Sequence, residues 1–254
     1  MSDTRYLIVN ADDFGQSAGV NRGVIQAHEQ GILTSTSMMV RWPAAAEAAE
    51  YARHHPQLGI GLHLDFGEWA YREGAWVRRY QVVDESDARA LSEETAHQLK
   101  TFGDLVGHPP THLDSHQHAH RKEPARSIVV EVAKRLDIPV RDLTPSISYC
   151  DRFYGQDDRG ASYPECICVA GFLRILAGLG TGVTEIGCHP AAADDLDTMY
   201  RMERLTELET LCDPRVRNAI TEMDIQLRSF AEWNAYVTSR RVVANEKIGL
   251  MRCR

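Results

Sequence analysis

The chain lacks any run of basic residues longer than the pair Arg240-Arg241, and 36 Asp+Glu outweigh 28 Lys+Arg to give a formal net charge of -8. A polyanion needs a basic face, so nucleic acid is excluded as a default partner. It also lacks any Cys-x-x-Cys pair. Its 6 cysteines, at 150, 166, 168, 188, 212 and 253, form neither a disulfide framework nor a closed zinc site, because Cys166 and Cys168 supply two of the four donors such a site needs. They read as reduced, mostly buried thiols. Long apolar runs are missing too. The longest, Cys166 to Gly180, is interrupted by Arg174, and Tyr6–Val9 is too short for the apolar core of a signal peptide. The expectation is a cytoplasmic protein without a membrane span. Internal repeats and Gly/Ser/Pro-rich linkers are also absent, so residues 1–254 are expected to form one domain, with homo-oligomer formation left open.

What is present is an alternation of short apolar runs with helical patterns. Tyr6–Asn10 reads as a strand, followed by a helix that Ser17 can cap and Gly31 can stop. Leu33–Val40 is a strand, and Pro43 is placed as the first residue of an alanine-rich helix to His54. Strands are expected at Leu58–Leu64, Thr111–Ser115, Ile138–Arg141 and Val183–Cys188. Helices are expected at Glu93–Val106, Pro124–Leu136, Met202–Leu211 and Val216–Ser229. Repeated strand–helix units with near-continuous apolar strands imply a parallel sheet covered by helices. At 254 residues a distorted (β/α) barrel is favoured over an open doubly wound sheet. The triplet Gly178-x-Gly180-x-Gly182 precedes a strand instead of following one, which argues against a dinucleotide loop.

Four of these strands end in polar residues. The first runs into Asp12-Asp13, and the others into His63, His116 and His189. In a parallel α/β architecture the carboxyl ends of strands converge on one face, so these five side chains are expected to share a cavity. Each has a plainer reading alone: Asp12-Asp13 as a turn, His63 as a core histidine, His189 as a strand terminator before Pro190. Together, carboxylate and imidazole suit Zn²⁺, Co²⁺, Ni²⁺ or Fe²⁺. Two adjacent aspartates can both face one site only if the strand has already turned, which Gly15 makes feasible. In His116-Gln117-His118-Ala119-His120 an extended chain would put three histidines on one face. In a loop the last two would be solvated, the reading favoured here. His54 and His55 read as an exposed helix end.

Several stretches match a known pattern, the first and third of them too long to be chance. They are Leu7-Ile8-Val9-Asn10-Ala11-Asp12-Asp13-Phe14-Gly15, Gly59-Ile60-Gly61-Leu62-His63-Leu64, Thr111-His112-Leu113-Asp114-Ser115-His116-Gln117-His118 and Glu185-Ile186-Gly187-Cys188-His189-Pro190. With Gly31–Ser37 and Leu208–Leu227, they make residues 5–230 resemble the YdjC-like carbohydrate deacetylases, the chitooligosaccharide and hopanoid-associated type. The resemblance implies a distorted barrel, Asp13, His63 and His116 as metal ligands, and Asp12 as general base. It also implies His189 at the leaving-group side and Arg141 orienting the base or contacting substrate. The chain departs from the family pattern at Asp65–Tyr71, Ser146–Ala161 and from Glu232 onward.

The expectation is therefore hydrolysis of an N-acetyl group from an amino sugar, oligosaccharide or glycoconjugate. It would use one divalent ion, Zn²⁺ or Mg²⁺, with Co²⁺, Ni²⁺ or Fe²⁺ as alternatives. Such an ion acidifies water and polarises a carbonyl. One of Trp69, Tyr71 and Trp76 is expected to line the sugar site, against ordinary rim packing. Two other readings stay open: an amidohydrolase-type barrel using the histidines of 116–120, and a catalytically silent sugar- or metal-binding protein.

Overall fold

A computed structural model describes residues 4–193 and 195–235. Arg240-Arg241, Cys253 and the tail from 236 lie outside the described residues. The first strand, β1 (Arg5–Phe14), is the axis of the sheet, and its ten residues are buried from Leu7 onward. It pairs in parallel with β8 (Gly182–Cys188) through residues Arg5 to Ala11. Its other edge is shared between β9 (Ile225–Leu227), opposite Arg5–Leu7, and β2 (Ser35–Met38), opposite Asn10–Phe14. β3 (Gly59–Leu64) follows β2, then β6 (Leu113–Ser115), while β7 (Ile147–Cys150) lies outside β8. The order β6-β3-β2-β1-β8-β7 is parallel throughout, as fully buried Val/Ile/Leu-rich strands require. The sheet curls into an incomplete barrel. Its edges β6 and β7 are not paired to each other, and the segment between them contributes a single bridge, Leu113 to Val140.

The helices form where apolar spacing and caps allow. α1 (Ala18–Glu29) starts at Ser17, whose side chain accepts from the Val20 amide, as expected. α2 (Ala45–His54) begins two residues after Pro43, because Trp42–Ala45 first makes a turn closed by Ala45 N to Trp42 O at 3.1 Å. α3 (Ala88–Val106) is longer than the apolar spacing alone suggests. Asp87 caps it at the amides of Arg89 and Ala90, and Gly107 ends it at φ 89°. α4 (Ala125–Leu136), α5 (Val169–Ala177), α6 (Met202–Cys212) and α7 (Pro214–Glu222) complete the outer layer. One apolar cluster, including Leu7, Val9, Phe14, Leu62, Phe102, Val129, Phe172 and Leu211, fills the space between sheet and helices. Each such side chain contributes about 1.5–3 kcal/mol by leaving water.

The expected helix Val216–Ser229 is two elements. α7 stops at Glu222, Asp224 turns the chain at φ 51°, and β9 joins the sheet. The apolar residues Ile225 and Leu227 have strand spacing, but three residues are too few to show a period. Ile138–Arg141 is not a regular strand either. It makes only two ladder bonds, Leu113 N to Pro139 O and Arg141 N to Leu113 O, both 3.0 Å. The hairpin β4 (Gly67–Arg72) and β5 (Ala75–Gln81) was not expected. Its Glu73-Gly74 turn, with φ 51° and 86°, carries the short-hairpin signal of a glycine in second place. No helix among the described residues is long and apolar enough to cross a membrane.

Candidate active site

The strand ends converge as the alternation implies. β1 runs two residues past its contact with β8 before Asp13 adopts φ 66°, and Gly15 follows at φ 94°. The turn lets Asp12 and Asp13 serve one cavity. A Cβ at Gly15 would come within 2.8 Å of Met39 O, so glycine is required twice over.

Asp13, His63 and His116 bring their ligand atoms within 4.8 Å of one another. Asp13 Oδ1 lies 3.4 Å from His63 Nε2 and 3.2 Å from His116 Nδ1. Both Asp13 Oδ1 and His116 Nε2 are buried with no hydrogen-bond partner. His63 gives its Nδ1 proton to Asp114 Oδ1 at 2.8 Å, which leaves the Nε2 lone pair turned toward Asp13. Lone pairs gathered around one point, with a carboxylate behind one imidazole, fit a divalent cation. Burial works against a charged His63, yet Asp114 and Asp12 outweigh it and raise its proton affinity well above the usual imidazole value. The pocket attracts positive charge.

Asp12 is held differently. Arg141 Nη1 donates to its Oδ2 at 2.6 Å and Nη2 to its Oδ1 at 2.7 Å, while Asn10 Nδ2 adds a bond to Oδ1 at 3.1 Å. Oδ1 thus has both lone pairs engaged and Oδ2 has one free. Burial raises the Asp12 carboxyl, but Arg141 more than offsets it and holds the group below the ordinary carboxylate range. The same guanidinium reaches Asp114 Oδ2 at 2.9 Å and Glu185 Oε1 at 2.7 Å. One cation cannot balance three carboxylates. Burial, aided by Asp114 and Asp12, pushes Glu185 up to about 7 against the pull of Arg141. A second acidic cluster, Asp12, His63 and Asp114, is also compact, but Arg141 already fills the cation's place there.

Behind the site, Ser37 donates to Asp114 Oδ2 at 2.6 Å and therefore accepts from Asn10 Nδ2 at 2.8 Å and His112 Nε2 at 3.0 Å. His112 stacks on Phe230 with centroids 3.9 Å apart. A Cβ at Gly61 would sit 2.5 Å from that ring, so β3 must carry glycine there. On the far side, His189 Nε2 lies 3.7 Å from Asp12 Oδ2 and its Nδ1 is buried without a partner. Burial pushes His189 down to about 4, so the ring is neutral at neutral pH. Tyr200 packs 5.4 Å from it, and Tyr154 stacks on Tyr200 at 4.5 Å.

The His116–Arg121 segment is a 3-10 turn in which Gln117 and His118 have φ 48° and 54°. It is not extended, so its histidines do not share a face, and the amidohydrolase-type arrangement loses its basis. Nor are the last two freely solvated: His118 is half-buried. His120 is fully buried, bonded to Ser115 Oγ at 2.7 Å and Arg141 O at 3.2 Å, and His118 Nδ1 is buried. Gln117 bonds both ways with the backbone of Trp69, at 2.9 and 2.7 Å, and so fixes the hairpin beside His116. Trp69 lies under Arg78, and Tyr71 meets Trp76 edge-on.

Asp114, Glu185 and Arg204 were not singled out from sequence. Asp114 and Glu185 sit at inward strand positions inside recognisable motifs. Arg204 is on α6, which closes over the site from 191 residues away in sequence, with Nη2 2.7 Å from Asp13 Oδ2. No local pattern marks it.

The strand ends of a curled parallel sheet thus gather a candidate metal site of Asp13, His63 and His116. The YdjC-like protein family matches residues 6–222, and the chain belongs to that family. It is 32% identical over 246 residues to a carbohydrate deacetylase of Geobacillus stearothermophilus, covering 90% of this chain and 98% of that protein. A chitooligosaccharide deacetylase of Salmonella schwarzengrund is 34% identical over 258 residues, with 90% and 99% covered. Among solved structures, a protein of Enterococcus faecalis V583 described as a cellobiose-phosphate cleavage protein superposes with TM-score 0.71 at 28% identity, covering 90% of this chain and 98% of that one. A Bacillus subtilis peptidoglycan deacetylase shares the fold at TM-score 0.52 and 11% identity, covering 97% and 98%.

Proposed function

We propose that the protein hydrolyses the N-acetyl group of an amino sugar, oligosaccharide or glycoconjugate with one divalent ion held by Asp13, His63 and His116. The observation that carries this reading is the pair of adjacent aspartates with opposite surroundings, one beside two imidazoles and one clamped by Arg141. Two imidazoles and one carboxylate suit Zn²⁺, Co²⁺, Ni²⁺ or Fe²⁺ better than Mg²⁺, which favours oxygen donors. When bound, such an ion acidifies water and polarises the acetamide carbonyl.

The chain's own groups do the rest. Asp12, kept ionised by Arg141, takes the proton of the attacking water on Oδ2, the oxygen with a free lone pair. His189, neutral and 3.7 Å from that oxygen, takes this proton from Asp12 and passes it to the departing amine, a poor leaving group unless protonated, so Asp12 returns to its ionised form. Arg141 fixes the base and spreads its charge over Asp114 and Glu185. Two exposed aromatic faces are available to a substrate: Tyr154, 36% exposed, meets His189 edge-on at 5.7 Å, and Trp76, 48% exposed, sits on the hairpin that Gln117 fixes beside His116. Pyranose rings present apolar C–H faces to such side chains, which supports a sugar substrate. The free thiols Cys150, Cys166, Cys168, Cys188 and Cys212 support a reducing, cytoplasmic setting. Because the strand ends of one sheet gather Asp12, Asp13, His63, His116 and His189, residues 1–254 are read as a single domain.

The test is metal content followed by acetate release from a panel of N-acetylated monosaccharides, chitooligosaccharides and glycoconjugates. Acetate from at least one of them by the metal-loaded protein is expected. None from any, with the metal present, overturns the deacetylase reading in favour of a silent binding protein.

A further inference from the structure

Arg204 is a buried cation placed where another cation belongs. Its side chain is 5% exposed, and Nη2 donates to Asp13 Oδ2 at 2.7 Å. Nε donates to Tyr200 O at 2.9 Å, whereas Nη1 is buried with no partner. A purely structural arginine would have its donors saturated, since an unmet buried N–H costs free energy. This one is committed to Asp13 while a hydrogen bond goes unmade elsewhere.

The two groups behind the metal ligands also act in opposite senses. Asp114 accepts a proton from His63 and makes its Nε2 a stronger donor. Arg204 draws charge from Asp13 and makes that carboxylate a weaker donor.

We propose that Arg204 is a positioning residue of the metal site that competes with the ion for Asp13, holding the ion less tightly and leaving it more electron-poor than its three ligands alone would. The proposal rests on reading Asp13, His63 and His116 as ligands. Its consequence has a sign that a merely structural role does not share. Removing a supporting side chain normally loosens a site, whereas removing a competing charge tightens it.

The experiment measures Zn²⁺ affinity of the chelator-stripped full chain by competition with a chromophoric chelator. Arg204→Met and Arg204→Gln are expected to bind Zn²⁺ about 10-fold or more tightly than the parent, the scale on which outer groups tune metal sites. Arg204→Lys, which keeps the charge, should stay within about threefold of the parent. At saturating Zn²⁺ the two neutral variants should still turn over more slowly. Zn²⁺ affinity unchanged or weaker in both neutral variants overturns the proposal. Should they fold poorly without metal, saturating Zn²⁺ must restore the parent's melting temperature, because the ion then supplies the charge that Asp13 lost. Failure of that rescue also overturns it. A parent chain that binds no Zn²⁺, Co²⁺ or Ni²⁺ overturns the metal reading itself, a result distinguishable from all of these.

Discussion

Asp12 and Asp13 are neighbours in the chain and opposites in the fold. Asp12 has both oxygens on the Arg141 guanidinium and its free lone pair toward His189. Asp13 has one oxygen on Arg204 and the other, unpartnered, facing two imidazoles. Burial opposes ionisation of both, and in both a nearby arginine overrides it. The carboxylates are thus equally charged but not equally available. A bidentate guanidinium leaves a directed proton acceptor and no room for a metal. A single arginine contact leaves an oxygen free to face the two imidazoles and a cation between them. The φ of 66° at Asp13 produces the difference, since an unturned strand would send the two side chains to opposite faces.

The largest effects should come from breaking the Asp13 side. His63→Ala and His116→Ala are expected to lose the metal while the fold persists, because the core cluster does not include either ring. Metal analysis and far-UV circular dichroism check both halves of the statement. Asp13→Asn should weaken metal affinity by more than the 10–100-fold typical of an outer-shell change, read by chelator competition. Unchanged stoichiometry in both histidine variants rejects the ligand assignment.

Breaking the Asp12 side should cost rate and spare the metal. Asp12→Asn is expected to lower kcat about 10²–10⁴-fold with metal content intact. The parent's rate should fall on the acid side only below the ordinary carboxylate range, because Arg141 depresses the Asp12 carboxyl. A variant that drops metal while Asp13→Asn retains it would mean that the two roles are exchanged.

A smaller effect sharpens the role of Arg141. Glu185 is held near 7 in the folded chain against 4.5 unfolded, so its contribution to stability is complete below about 4.5 and is lost as pH rises toward 7. Its Oε2 is buried without a donor. Glu185→Gln removes that penalty and should stabilise the protein by at most about 3 kcal/mol above pH 7. The advantage should vanish below pH 4.5, as measured by denaturant melts at both ends. A constant difference at all pH values would show that Glu185 does not carry the proton.

The smallest effects belong to the rim. Trp76→Ala and Tyr154→Ala should raise KM about 2–10-fold, the worth of an aromatic contact, and leave stability within about 0.5 kcal/mol. If KM is unchanged in both, the sugar does not rest on these faces.

Much of this was readable in the chain. The apolar strands Leu7–Val9, Ile60–Leu64 and Val183–Ile186, the Ser17 cap and the polar strand ends carry local signals, because period and caps depend on neighbours in sequence. From them the parallel sheet, the shared cavity and the candidate residues Asp12, Asp13, His63, His116 and His189 follow, while Arg141 came only from the family resemblance. Other features were not legible. Three-residue β9 is a strand only because β1 has a free edge beside it. His120 is buried and His118 half-buried because the chain turns twice through the left-handed region after His116. Which oxygen of Asp12 is free, which of Asp13 is unmet, and that Arg204 from α6 stands beside the latter were settled by contacts across more than a hundred residues. Sequence determined which chemistry the strand ends could offer, since residue type fixes donors, charge and period. Tertiary structure alone decided how each group is used, since hydrogen bonding and burial depend on what the fold brings within 3 Å.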